Sequence, residues 1–168
     1  DMDSDHAKML GEFGAELAPF KIPPQIPGLD LILAVEASAM FDQITRDGKL
    51  NLVKENGWPE YFRNARFIPA VEYAQAMRAR SLLVDAYEEA LYPFDFIVGN
   101  QTIGPMIYTT NLTGHPQIHV PLTPTANGYT SISLIGKTFQ EGTMLGAAHL
   151  LQEKTKFYRL RPDLSPFL

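Results

Sequence analysis

The sequence predicts an α/β fold, and three observations carry that expectation. Residues 69–92 have apolar side chains at helical intervals, with Tyr73, Met77, Val84, Tyr87 and Leu91 spaced along the stretch. Three short apolar segments, "FDFIV" (94–98), "QIHVPL" (117–122) and "TSISLIG" (130–136), read as strands. The composition is globular: 168 residues, 45% hydrophobic and 20% charged, enough for one ordinary domain or a large piece of a bigger one. A chain of this size buries roughly two thirds of its unfolded surface.

From the N-terminus, residues 5–14 form an amphipathic helix pattern with Met9, Leu10 and Phe13 on one side and Gly14 as its stop. "AELAPFKI" (15–22) alternates like a strand, and the prolines of "PPQIPG" end it, because proline cannot donate to a sheet ladder. Residues 30–46 are apolar nearly all round, the pattern of a buried helix that stops at Asp47-Gly48. The stretch 47–58 is polar and reads as a loop. The helix of 69–92 tolerates Pro69 in its first turn. "GNQTIGP" (99–105) reads as loop after the first strand candidate. The last helix opens on a capping box, Thr138 with Glu141, and closes with Lys154 and Lys156 near its negative dipole end.

Charge and composition exclude several functions. The net charge is −5, without the clustered Lys/Arg excess that a nucleic-acid groove needs, so no nucleic-acid partner is expected. The absence of cysteine excludes disulfides, thiolate zinc sites and a Cys nucleophile, and fits a cytosolic location without excluding export. No apolar run approaches the roughly 20 residues of a membrane-spanning helix, so no membrane partner is expected. The opening "DMDSDHAKML" lacks the features of a signal peptide and reads like the middle of a longer chain.

The chemical candidates are few. His115 and His119 stand four apart, a zinc-ligand spacing on a helix, but Pro116 opposes a helix there and no third ligand is near in sequence. They read instead as a turn histidine and a strand histidine, and no metal or other cofactor is expected. Ser131 and Ser133 fit strand alternation, and no Gly-x-Ser-x-Gly elbow occurs. Glu88 and Glu89 point about 100° apart on a helix and read as a solvated face rather than an acid/base pair. In "NLTGHPQIHVP" (111–121), Gly114 permits a tight turn, Pro116 favours an extended His115, and the Asn and Thr side chains suit hydrogen bonds to the turn backbone. This motif reads as structural.

The order of segments resembles the C-terminal third of the amidase signature family. The landmarks are "LGEFGAELAPFKIP", "LILAVEASAMFD", "ARFIPAVEYAQAMRAR", "FDFIV", "TNLTGHPQIHVPL", "ISLIGKTFQEGTMLGAAHLLQ" and "RLRPDL". The resemblance implies a single C-terminal segment, 1–168, of an amidase domain, with a mixed sheet covered by helices. It implies hydrolysis of carboxamides by a Ser nucleophile with a second Ser and a Lys, all in the family's N-terminal portion. This chain has no Ser-Ser and no Gly-Gly, so no catalytic residue is carried over, and Lys8 and Lys21 do not stand in the family's motifs.

The implied partners are the N-terminal portion of the same amidase and a small-molecule amide substrate. The implied pocket wall is "GNQTIGPMIY" (99–108), with Asn100, Gln101 and Thr102 as candidate substrate-binding residues. The chain has Gly99-Asn100 where the family usually carries a Pro-Thr pair. A segment of a larger sheet is expected to expose strand edges and apolar surface, and so to self-associate as a homo-oligomer or dissolve poorly. Two other readings stand beside this one: a non-catalytic binding or scaffold module that keeps the fold, and part of a tRNA-dependent amidotransferase A subunit.

Overall fold

Helix α1 (Asp5–Glu12) begins the described part of the chain. The computed structural model describes residues 5–54, 57–100, 104–125 and 128–159. At the end of α1, Gly14 takes φ +89° and the Ala15 amide donates to the Leu10 carbonyl at 3.0 Å. This is the Schellman ending that a glycine permits. Two compact units follow from the packing, Asp1–Pro23 with Ala86–Leu168, and Pro24–Asp85.

The first unit is built on strands β1 (Phe96–Asn100), β2 (Gln117–Thr125) and β3 (Gly128–Gly136). Their order is β1-β3-β2, and both pairings are antiparallel among the described residues. Alternation along the strands sends Ile118, Val120 and Leu122 of β2 to the same face as Ile132 and Leu134 of β3. On that face they form one core with Leu10 of α1 and with Ala148 and Leu151 of α7 (Glu141–Thr155). Ile132 and Leu134 are 0% exposed. The opposite face carries Ile97, Ser133, Ile135, Gln117 and His119 by the same alternation. Thr110 of α6 (Gly104–Thr113) reaches Gln117 there, and the last turns of α5 (Ala70–Leu91) bring in the buried Tyr87 and Leu91. The Tyr87 hydroxyl lies 3.9 Å from Met106 Sδ of α6.

The second unit holds α2 (Asp30–Met40), α3 (Asp42–Arg46), α4 (Trp58–Asn64), the first turns of α5, and single 3-10 turns at Leu50–Leu52 and Ala65–Phe67. Trp58, Phe41 and Tyr61 gather around or beside Phe62, with centroids 5.3 Å apart for Trp58–Phe62 and Phe41–Phe62. The Tyr73 hydroxyl of α5 donates to Glu36 of α2 at 3.1 Å, and Tyr61 donates to the Asp30 carbonyl at 3.3 Å.

The α/β expectation holds, and the helix of 69–92 and the strands near 94–98, 117–122 and 130–136 all form. Three local expectations are corrected. "AELAPFKI" (15–22) is not a strand: it has no ladder partner among the described residues, and Ala15 and Leu17 pack on the core instead. The helix of 30–46 breaks at Phe41 and is not buried all round; Leu33 and Met40 are 49% and 80% exposed. Packing near α3, α4 and the Ala65–Phe67 turn buries Ile32, Ala34 and Ser38. The polar stretch 47–58 is loop-like among its described residues, as expected, with one 3-10 turn that buries Leu50; α4 starts at Trp58, after Gly57 at φ +95° and with Pro59 in its first turn. The capping box is absent, because Thr138 turns away from α7 and donates to Glu88 of α5.

Gly136 ends β3 where α7 comes closest. A Cβ there would sit 2.5 Å from Met144 Sδ, and Met144 is itself buried. Gly136→Ala is expected to lower stability by about 1–3 kcal/mol through overpacking. Urea unfolding checks this, and the penalty should shrink in a Met144→Ala background, where the clash is gone.

Candidate functional site

The candidate pocket wall falls at the end of β1. Asn100 is the last residue of that strand, with its backbone opposite Ile132 of β3. Gln101 and Thr102 lie outside the described residues. The expected loop of 99–105 is corrected at both ends, since β1 runs through Asn100 and α6 begins at Gly104. The helix escapes a hydrophobic reading because its buried side is partly threonine: Thr109, Thr110 and Thr113 are buried beside Met106 and Leu112. The hydroxyls of Thr110 and Thr113 reach back to helix carbonyls, at 3.1 Å (Ile107) and 2.9 Å (Thr109). A buried face can then be polar in sequence.

Immediately after α6 comes the histidine turn. Gly114 takes φ +80° and its amide donates to the Thr110 carbonyl at 2.8 Å, ending the helix. The His115 side chain is 0% exposed. Its Nδ1 lies 2.7 Å from Thr113 Oγ1. The two side chains share this hydrogen bond, and the other ring nitrogen, Nε2, faces Glu88. That Nε2 has no hydrogen-bond partner, and Glu88 Oε1 stands 3.4 Å away. Thr138 donates to the same carboxylate oxygen, and the Tyr87 ring lies 5.9 Å from the imidazole. Burial pushes the His115 pKa below its ordinary value, and the Glu88 charge opposes that only in part.

Glu88 is thus half-buried and bound, not solvated as its sequence neighbours suggest; Glu89 is the exposed one. Sequence reasoning missed Glu88 and Thr138. The one signal available was that Glu88 follows Tyr87 on the buried stripe.

The second histidine sits across the sheet. His119 pairs directly with Ser133, and Nδ1 lies 2.7 Å from Ser133 Oγ. Gln117 Nε2 lies 3.4 Å from His119 Nε2, and Thr110 Oγ1 is 2.8 Å from Gln117 Oε1. A Ser–His contact is the first requirement of nucleophilic catalysis, but the rest is missing here. Ser133 is fully buried in the central strand, between β1 and β2, so no carbonyl carbon reaches it. The neighbouring strand amides serve the ladder rather than an oxyanion. Hence the pair ties β2 to β3.

The two histidines are held by different partners, Thr113 and Ser133, and do not converge on one point. Among the described residues, no three His, Cys, Asp or Glu side chains group as a metal site. Two grooves open in the unit of residues 24–85. One, of about 280 Å³, is lined by Val35, Ser38, Ala39, Asp42, Ala65 and Arg66. The other, of about 420 Å³, has Asp30, Glu60 and Tyr61 on its wall. In the first, Ser38 Oγ is buried without a hydrogen-bond partner and Arg66 is already paired with Asp42.

No family model matches the chain. Among curated proteins it is similar to the glutamyl-tRNA(Gln) amidotransferase A subunit of Carboxydothermus hydrogenoformans, with 32% identity over 111 residues, 55% of this chain and 23% of that protein. The same subunit from Desulforudis audaxviator is 34% identical over 113 residues, 56% of this chain and 23% of that protein. The chain therefore spans less than a quarter of the length of the curated relatives it matches. A crystal structure of an amidase superposes with a TM-score of 0.73 at 14% identity, covering 88% of this chain and 40% of that one. By sequence and by fold, the chain is a C-terminal portion of the amidase signature fold.

Proposed function

We propose that these 168 residues serve as one C-terminal segment of an amidase domain that hydrolyses carboxamide C–N bonds. The Ser nucleophile, second Ser and Lys belong to polypeptide outside this sequence. Both compact units would then be parts of that one domain. The chain supplies sheet strands, covering helices and, through Asn100, Gln101 and Thr102, part of the pocket wall. One observation carries the reading: the chain shares a partial stretch with much longer relatives, yet the serine of the serine–histidine contact it holds is fully buried in the central strand.

The experiment restores the polypeptide that precedes this segment in its gene and assays simple aryl and aliphatic amides. Turnover that needs both parts supports the proposal. Failure of the joined protein on every amide tested, with both parts folded, overturns it.

A second reading, part of a tRNA-dependent amidotransferase A subunit, gains support from the names of both curated relatives. Glutamine as the preferred amide, with ammonia passed to an acceptor rather than released, would favour it over a stand-alone amidase.

A further inference from the structure

The turn between β3 and α7 is held under strain. Phe139 takes φ +60° there, a left-handed conformation that a bulky side chain rarely adopts. Its ring is 91% exposed, so packing of the ring does not offset the strain. Two contacts fasten the turn to α5 and the residue that follows it. Lys137 Nζ donates to the Tyr92 carbonyl at 2.9 Å, and the Thr138 hydroxyl donates to Glu88.

The oxygen that holds Thr138 has a second neighbour. Glu88 Oε1 is also the atom 3.4 Å from His115 Nε2, and that nitrogen is buried without a hydrogen-bond partner. The other titratable groups nearby are engaged differently. From α5, the Tyr87 ring meets the imidazole with 5.9 Å between centroids. Lys137 lies on the Tyr92 carbonyl and ring, and His119 on Ser133. From α6, Thr113 offers an uncharged hydroxyl. Among the described residues, Glu88 is therefore the charge that acts on His115.

A proton changes this junction. Neutral imidazole carries one N–H, whereas imidazolium carries two. With Nδ1 occupied by Thr113, the N–H gained by the pair of nitrogens brings a donor to Nε2, opposite Glu88 Oε1. That bond is charged on both sides, while Thr138 offers only a neutral hydroxyl.

We propose that His115, Glu88 and Thr138 form an acid-operated latch on the turn between β3 and α7. With His115 neutral, the carboxylate holds Thr138 and the strained turn stays closed. When the imidazole takes a proton, Glu88 swings to Nε2–H, Thr138 loses its acceptor, and Phe139 relaxes out of the left-handed region. Burial places that step below the ordinary histidine value of about 6.5, and the carboxylate limits how far below. The latch operates whatever chemistry the full protein performs.

The test follows the imidazole nitrogen resonances of His115 and the backbone amides of residues 137–140 by NMR, in the intact protein between pH 7 and pH 5. The turn amides should titrate with the same midpoint as His115. Protection of the Gln140 amide, which donates to the Lys137 carbonyl at 3.2 Å, should fall at least about 10-fold on acidification. Glu88→Gln keeps an acceptor for Thr138 but removes the charge, so the His115 midpoint should drop and the turn should no longer follow it. Thr138→Val should leave the turn weakly protected at both pH values while His115 still titrates. A titrating His115 with an unmoved turn would overturn the latch, as would a turn that follows His115 equally well in Glu88→Gln. So would an imidazole that stays neutral across the whole range, or exchange that accelerates equally in β3 and α7, which is global unfolding.

Discussion

Leu134→Ala is expected to destabilise the chain by about 2–5 kcal/mol, the range for emptying a buried aliphatic site. Leu134 stands on the central strand, opposite Val98 of β1 and Ile118 of β2, and is 0% exposed. Its face of the sheet packs with Leu10 of α1 and with Ala148 and Leu151 of α7. Strands on both sides and two helices above fix its surroundings, so the hole left by truncation cannot easily collapse. Chemical unfolding followed by far-ultraviolet circular dichroism gives the loss. Leu145→Ala, on the exposed side of α7, should change stability by no more than about 0.5 kcal/mol. Equal effects at the two positions would contradict the assignment of the core.

His115→Ala is expected to cost about 3 kcal/mol, combining lost packing against Tyr87 with stranded polar partners. The Thr113 hydroxyl loses its Nδ1 partner, and Glu88 loses the imidazole from its surroundings. A second readout separates this from simple cavity formation. The folded state binds a proton at His115 less readily than the unfolded chain does, because burial lowers its pKa. Stability from this residue is therefore fully present above the ordinary histidine value of about 6.5, and is lost as pH falls from there through the lower folded value. Comparing unfolding curves between pH 7 and pH 5 should show a steeper acid loss in the wild type than in His115→Ala. An unchanged slope would mean that His115 does not stay neutral inside the fold.

How much of this was legible depended on whether burial was written in apolar residues. β2, β3 and α5 were, since Val120, Leu122, Ile132, Leu134, Tyr87 and Leu91 all reach the interior at strand or helix intervals. By contrast, α6 hides its inner side behind Thr109, Thr110 and Thr113, buried residues of which Thr110 and Thr113 satisfy their hydroxyls within the helix. A pattern reader sees polarity and writes a loop. The opposite error befell 30–46, where greasy residues suggested burial but Leu33 and Met40 stay exposed.

Thr138 and Glu88 show a third kind of miss. Thr138 has the spacing of a cap to Glu141, yet its partner is 50 residues away on α5. No local rule encodes that choice. Of the pocket-wall residues, Asn100 is placed at the end of β1, whereas Gln101 and Thr102 lie outside the described residues. The tight turn at Gly114 was legible, since that residue sits in the left-handed region, but not the depth of His115 or its carboxylate neighbour.

The most direct measurement is amide hydrolysis by the purified 168-residue chain alone, against aryl, aliphatic and glutamine amides, with Ser133→Ala and His119→Ala beside it. No turnover above the uncatalysed rate is expected from any of the three proteins. Robust turnover by the wild type that Ser133→Ala or His119→Ala abolishes would contradict the central claim that the reactive groups lie outside this segment.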